Sequence, residues 1–139
     1  MKVGIINGPN LNMLGIREPG VYGNESLDSL LKDLKSQFDQ VEISDFQSNN
    51  EGELINKIQD WGMSLDGIVI NPGGYSHTSV AIRDAISSVK CPVIEVHISN
   101  IHSREEFRHT SITGGACEAV ISGLGANGYS VALRYLVES

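Results

Sequence analysis

Residues 2–23 read KVGIINGPNLNMLGIREPGVYG, a short apolar run followed by a long segment punctuated by glycine and proline. The run at 2–6 suits a buried parallel strand, and Pro9, Pro19 and the glycines at 8, 15, 20 and 23 predict a connection without regular structure. Connections of this length are uncommon in compact domains, where they are often lids or binding loops. This one carries Asn10, Asn12, Arg17, Glu18 and Tyr22, so it reads either as a solvated connection or as a functional loop. A tyrosine base can be built there at a definite energetic cost. A free phenol has a pKa near 10, and a base working near neutrality needs a shift of about three units, roughly 4 kcal/mol. A guanidinium at about 4 Å supplies around that much at an effective dielectric of roughly 20. Arg17, five residues before Tyr22, is the obvious source, and closing the loop would desolvate and activate the pair together.

Four further apolar runs, at residues 41–46, 67–71, 92–98 and 119–122, bring the strand candidates to five. Helical stripes lie between them. Leu27, Leu30, Leu31, Leu34 and Phe38 follow Ser26 as an N-cap; Leu54, Ile55, Ile58 and Trp61 form a second stripe; Ile82, Ala85, Ile86 and Val89 a third; Tyr129, Ala132, Leu133 and Leu136 a last one. In the fourth connection Ser103 with Glu106 three residues on resembles a capping box and predicts a short helix. Strands that are apolar rather than alternating, with helical patterns between them, indicate an α/β fold: a five-stranded parallel sheet with helices on both faces, forming a single domain over 1–139.

Ligands of such sheets bind beyond the carboxyl ends of the strands, where strand order reverses. The segments leaving strands one, three and four read NGPNLN, NPGGYSHTS and HISNIHSREEF, so polar chemistry is expected at one edge. The segment after strand two, QSNNEGE, reads as turn and helix-start material with no functional role.

The formal net charge of −7 and the absence of a basic run set the overall field against nucleic acid. Cys91 and Cys117 stand far apart in apolar settings and read as reduced core residues. No run approaches the roughly 18 apolar residues of a membrane span, and no signal-peptide pattern opens the chain. The expectation is a soluble cytoplasmic protein that binds neither membrane nor nucleic acid.

Several motifs compete for a functional reading. GLGANG at 123–128 matches the dinucleotide fingerprint in form, but it lacks the second strand and the acidic residue about 20 positions on. Those glycines read better as a tight turn and close helix packing. GPNLNMLG lacks the lysine and hydroxyl of a phosphate loop, which disfavours ATP and GTP. His77, His97, His102 and His109 lie on different segments without the spacing of a zinc helix, so no metal is expected. His97 stands near the end of a strand two residues after Glu95, and both side chains should share a face. A carboxylate there would fix the imidazole's tautomer and favour its protonated form; the alternative is a core histidine satisfied by hydrogen bonds. No serine elbow or activated cysteine is present, which leaves acid and base work by Tyr22 and His97 as the better fit.

Four blocks, GPNLNMLGIREPGVYG, NPGGYSHTSVAIRDA, EVHISNIHSREEFRHTS and GLGANGYSVALRYL, occur in the order found in type II 3-dehydroquinate dehydratases, and the chain resembles that family over essentially its whole length. The resemblance implies a flavodoxin-like fold, no cofactor or metal, and trimers grouped into a homododecamer. It implies anti elimination of water from 3-dehydroquinate through an enolate. On this sequence Tyr22 would be the base, Arg17 the cation that activates it, and His97, oriented by Glu95, the acid that protonates the departing hydroxyl. Asn10 would stabilise the enolate through an ordered water. Asn71, His77, Ile98, Ser99 and Arg108 would bind the carboxylate and hydroxyls, with backbone amides at Ile98 and Ser99 suited to the carboxylate. Asp84 would reach the site from a neighbouring subunit. Gly74 and Ser76 stand where the family often has alanine and threonine. A nucleotide-binding module of the same fold and a non-catalytic scaffold are the rival readings.

Overall fold

The computed structural model describes every residue except Arg17, and Tyr22 without its side chain. Five strands, β1 (Lys2–Asn7), β2 (Glu42–Gln47), β3 (Gly67–Asn71), β4 (Val93–His97) and β5 (Ala119–Ser122), form one parallel sheet in the order β2-β1-β3-β4-β5. This is the flavodoxin-like order, with its reversal between β1 and β3. β3 and β4 are buried along their whole length, which is why their aliphatic residues run without alternation, with Asn71, Glu95 and His97 as the buried polar exceptions. The register sets Asn7 beside Asn71, Ile70 beside Glu95 and His97 beside Ser122.

Helices α2 (Leu27–Gln37) and α5 (Asn127–Glu138) pack on Val3, Ile5, Val69, Ile94 and Val96 on one face. Helices α3 (Glu51–Ser64) and α4 (Val80–Ser87) pack on Ile6, Ile68, Ile70 and Val93 on the other. Each fully buried aliphatic side chain contributes about 1.5–3 kcal/mol of transfer free energy, so the two stripes lock the alternation of every central strand. Asn7 and Asn71 consequently face the α5 side, while Glu95 and His97 face the α4 side with Val93. Ser26, Asn50 and Ser79 cap α2, α3 and α4 by accepting from the backbone N–H three residues on.

Two expectations are corrected. The fourth connection holds no α-helix; it runs through 3-10 turns at Ile101–Ser103, Glu106–Arg108 and Thr113–Ala116. Ser103 closes the first of these turns instead of opening a helix, and Asn100 provides the cap by accepting from His102 N–H at 3.1 Å. An apolar stripe is also missing there, since Phe107 points into solvent. The first connection is not wholly irregular. Leu11–Met13 forms a 3-10 turn whose Leu11 is buried, and Pro19–Tyr22 forms a one-turn helix, α1, begun by a proline with preset φ.

Cys91 and Cys117 are free and pack against the α3/α4 core, as expected. Burial, and secondarily the charge of Glu95, pushes the Cys117 thiol up to about 12. No helix among the described residues is long and apolar enough to cross a membrane.

Candidate active site

The loops leaving β1, β3 and β4 close on a cavity of about 130 Å³ at the carboxyl edge of the sheet. Its volume suits one small molecule. Asn10, Asn71, His77, His97, Ile98, Ser99 and Arg108 all line it, so seven of the expected site residues converge from three segments. Glu95 stands behind His97. Asp84 lies exposed on α4, outside the cavity of its own chain. Arg17 and the Tyr22 side chain lie outside the described residues.

His97 Nε2 is 2.7 Å from Glu95 Oε2 in a buried setting. Ser111 Oγ donates to Oε2 of the same carboxylate at 2.5 Å, and Thr113 Oγ1 donates to Oε1. Burial alone would push the Glu95 carboxyl up; the hydrogen bonds from His97, Ser111 and Thr113 outweigh it and hold the group below the usual carboxylate range. A lasting anion at Glu95 requires Nε2 of His97 to carry a proton, which leaves Nδ1 as the nitrogen free to exchange one. His77 stacks on the His97 ring with centroids 6.1 Å apart. Its Nδ1 is 2.9 Å from the carbonyl of Thr110, which assigns the proton there and leaves Nε2 as an acceptor.

Asn10 adopts a left-handed φ of 70°, a conformation more accessible to asparagine than to most residues. Its N–H donates to Asn49 Oδ1 at 3.0 Å, and Gln47 Nε2 donates to Gly8 O and to Asn49 Oδ1, each at 3.1 Å. The segment after β2, expected to have no role, therefore anchors the loop that presents Asn10. Nothing local in QSNN signals this, because the partners lie 39 residues upstream.

Arg104 was also not singled out by the sequence, although it lines the cavity. Its guanidinium approaches Glu18 and Glu105, each at 3.8 Å, and Ser99 Oγ at 3.5 Å. A cation in the segment leaving β4, five residues after Ser99, was the available signal. Arg108 donates from Nε to Glu105 Oε1 at 3.0 Å, so Glu105 braces both arginines. Among the described residues no three His, Cys, Asp or Glu side chains cluster in a way that could hold a metal ion.

The arrangement joins a carboxylate-oriented histidine, cations and amides around a cavity for a small polar molecule, and known proteins share both the sequence and the fold. The family model described as Dehydroquinase class II matches residues 1–137. A 3-dehydroquinate dehydratase of Aliarcobacter butzleri is 54% identical over 140 residues, covering 99% of this chain and 85% of that protein. One from Fusobacterium nucleatum is 52% identical over 143 residues, covering 99% and 97%. The crystal structure of a type II dehydroquinase from Butyrivibrio crossotus superposes with a TM-score of 0.95 at 50% identity, covering 99% of this chain and 97% of that one. With sequence, strand order and the converging loops in agreement, the chain belongs to the class II dehydroquinase family.

Proposed function

We infer that this chain is a 3-dehydroquinate dehydratase, a hydro-lyase of the shikimate pathway that converts 3-dehydroquinate to 3-dehydroshikimate by anti elimination through an enolate. The observation that carries this reading is the buried Glu95–His97 pair facing a small polar cavity at the β1/β3 switch point, in a chain of this family.

The assignment of roles is ours. Tyr22, activated by Arg17, removes the proton from C2. The enolate charge that develops is met by Asn10, supplying a hydrogen bond where the charge appears. His97, held by Glu95, donates from Nδ1 to the departing C1 hydroxyl as general acid. Asn71, His77 and Arg108 hold the ring hydroxyls, and the backbone amides of Ile98 and Ser99 hold the carboxylate. His77 supports this reading with an acceptor Nε2, and Arg104 adds positive potential to the same cavity.

The chain is proposed to act as one catalytic unit, without a metal or organic cofactor, in the cytoplasm. We also propose trimers grouped into a dodecamer, in which Asp84 on its exposed helix face reaches a neighbour's site. Light scattering of the purified protein reports that assembly.

The decisive experiment mixes purified protein with 3-dehydroquinate in the presence of chelator. The ultraviolet absorbance of a conjugated enone should grow with time, and a silent trace overturns the reading. A nucleotide-binding module of the same fold would instead show a raised melting temperature with FMN, NAD or ATP.

A further inference from the structure

Tyr129 is fully buried on α5 and packs within the aliphatic core between the sheet, α2 and α5. Burying a hydroxyl there is unfavourable unless it is hydrogen-bonded, and the phenol is bonded twice. Its oxygen is 2.6 Å from Asn7 Oδ1 and 3.1 Å from Asn71 Nδ2. It thus spans the ends of β1 and β3, the two strands whose loops open the cavity.

The direction of every bond follows from one backbone group. Gly73 N–H donates to Asn71 Oδ1 at 3.1 Å, which fixes the other head of the Asn71 amide as NH₂. That NH₂ donates to the Tyr129 oxygen, so the phenol's own proton must go to Asn7 Oδ1. Burial pushes the phenol's pKa above its ordinary value, so this proton stays in place. One N–H of the Asn71 amide is then spent on Tyr129, and the other is what Asn71 can offer to a molecule in the cavity it lines. The GLGANG stretch makes the reach possible. A Cβ on Gly128 would come within 2.9 Å of Val96 Cγ1, so only glycine lets α5 lie this close to β4.

We propose that Tyr129 is a positioning residue for substrate binding: pinned by Asn7, its hydroxyl holds the Asn71 amide so that Asn71 meets a ring hydroxyl of the substrate as a hydrogen-bond donor. This rests on the dehydratase reading above and adds a residue of the last helix to its binding machinery.

The test compares Tyr129→Phe, Asn71→Ala, the double variant and Asn71→Asp in the enone assay. Losing the hydroxyl leaves a buried amide unpaired, so Tyr129→Phe should raise KM about tenfold while kcat stays within about threefold. In the Asn71→Ala background the same change should add nothing to KM, because the effect passes through Asn71. Asn71→Asp keeps the shape but replaces donor with acceptor, and should raise KM as much as Asn71→Ala. The proposal is overturned if Tyr129→Phe leaves KM within about twofold, if it raises KM equally in both backgrounds, or if Asn71→Asp binds like the wild type. Should Tyr129→Phe fail to fold, Asn7→Leu breaks the same chain of bonds and must raise KM likewise; an unchanged KM there overturns the proposal too. A wild-type chain that forms no enone removes the dehydratase reading itself, and this inference with it.

Discussion

Nε2 of His97 lies 2.7 Å from Oε2 of Glu95, and the carboxylate has no exposure to solvent. A buried anion persists only when hydrogen bonds replace the lost hydration. Here Ser111 and Thr113 reach across from the connection to β5 and complete the set. The imidazole thus sits against a charge that is present throughout the neutral range, which fixes its tautomer and supports the imidazolium when it forms.

Glu95→Gln is expected to lower kcat by roughly 10- to 100-fold with little change in KM, less than the roughly 10²–10⁴-fold that a general acid itself supplies and that His97→Ala should remove. The amide keeps the shape but loses the charge, and it can present an N–H to Nε2 and so select the wrong tautomer. Steady-state enone assays check this; turnover within about twofold of wild type would exclude Glu95 from the orienting role.

A second expectation concerns stability against pH. The folded pKa of Glu95 lies below its unfolded value, so the group stabilises the fold above the unfolded pKa, and that contribution is lost as pH falls through the folded value. In the double variant Ser111→Ala, Thr113→Val, two of the bonds that lower the folded pKa are gone while burial still raises it, so the folded pKa moves up and the carboxylate stabilises the fold less at neutral pH. His97 and Cys117 face the carboxylate and are left unchanged. Each lost bond to the buried anion should cost about 1–3 kcal/mol at pH 7, with a smaller gap near pH 4. Urea unfolding at the two pH values measures it, and a gap that widens in acid contradicts the assignment.

The Glu95–His97 pair was legible because residues two apart on a strand share a face. The central strands were legible because their aliphatic residues fall on both faces instead of alternating, and the four longer helices because each carries a stripe at helical spacing. Ser111 and Thr113 were not, since they meet Glu95 from 16 and 18 residues further along, where no periodic pattern relates the segments. The connection after β4 misled for a related reason. Short polar turns have no stripe, and Ser103 with Glu106 imitates a cap that Asn100 provides. Asn49 shows the same blindness over 39 residues, because an asparagine at a helix start looks alike whether it braces a loop or meets water.

That brace yields a third expectation. Asn49 Oδ1 accepts from both Asn10 N–H and Gln47 Nε2, and Asn10 holds a positive φ that needs support from its surroundings. Asn49→Ala should cost about 1 kcal/mol of stability and lower kcat several-fold, since Asn10 is assigned to the enolate and is held by Asn49, which does not itself line the cavity. Asn49→Asp keeps the acceptor and should restore much of the rate. Thermal unfolding and turnover are read together, and equal rates for wild type and Asn49→Ala would show that the loop needs no such anchor.

The last expectation concerns the base. Tyr22→Phe should reduce kcat by about 10²–10⁴-fold, the range supplied by a positioned acid or base, while substrate still binds, because the hydroxyl acts in proton transfer more than in affinity. Arg17→Lys should also be far from neutral, since an ammonium lacks the planar donor set of a guanidinium. The informative readout is the pH profile of kcat/KM. If Arg17 lowers the phenol pKa by charge, the limb on which activity rises with pH moves to higher pH in Arg17→Gln, which removes the cation, because the base then needs a more alkaline solution to lose its proton. A profile superimposable on the wild type would show that Tyr22 draws its acidity from elsewhere in the site.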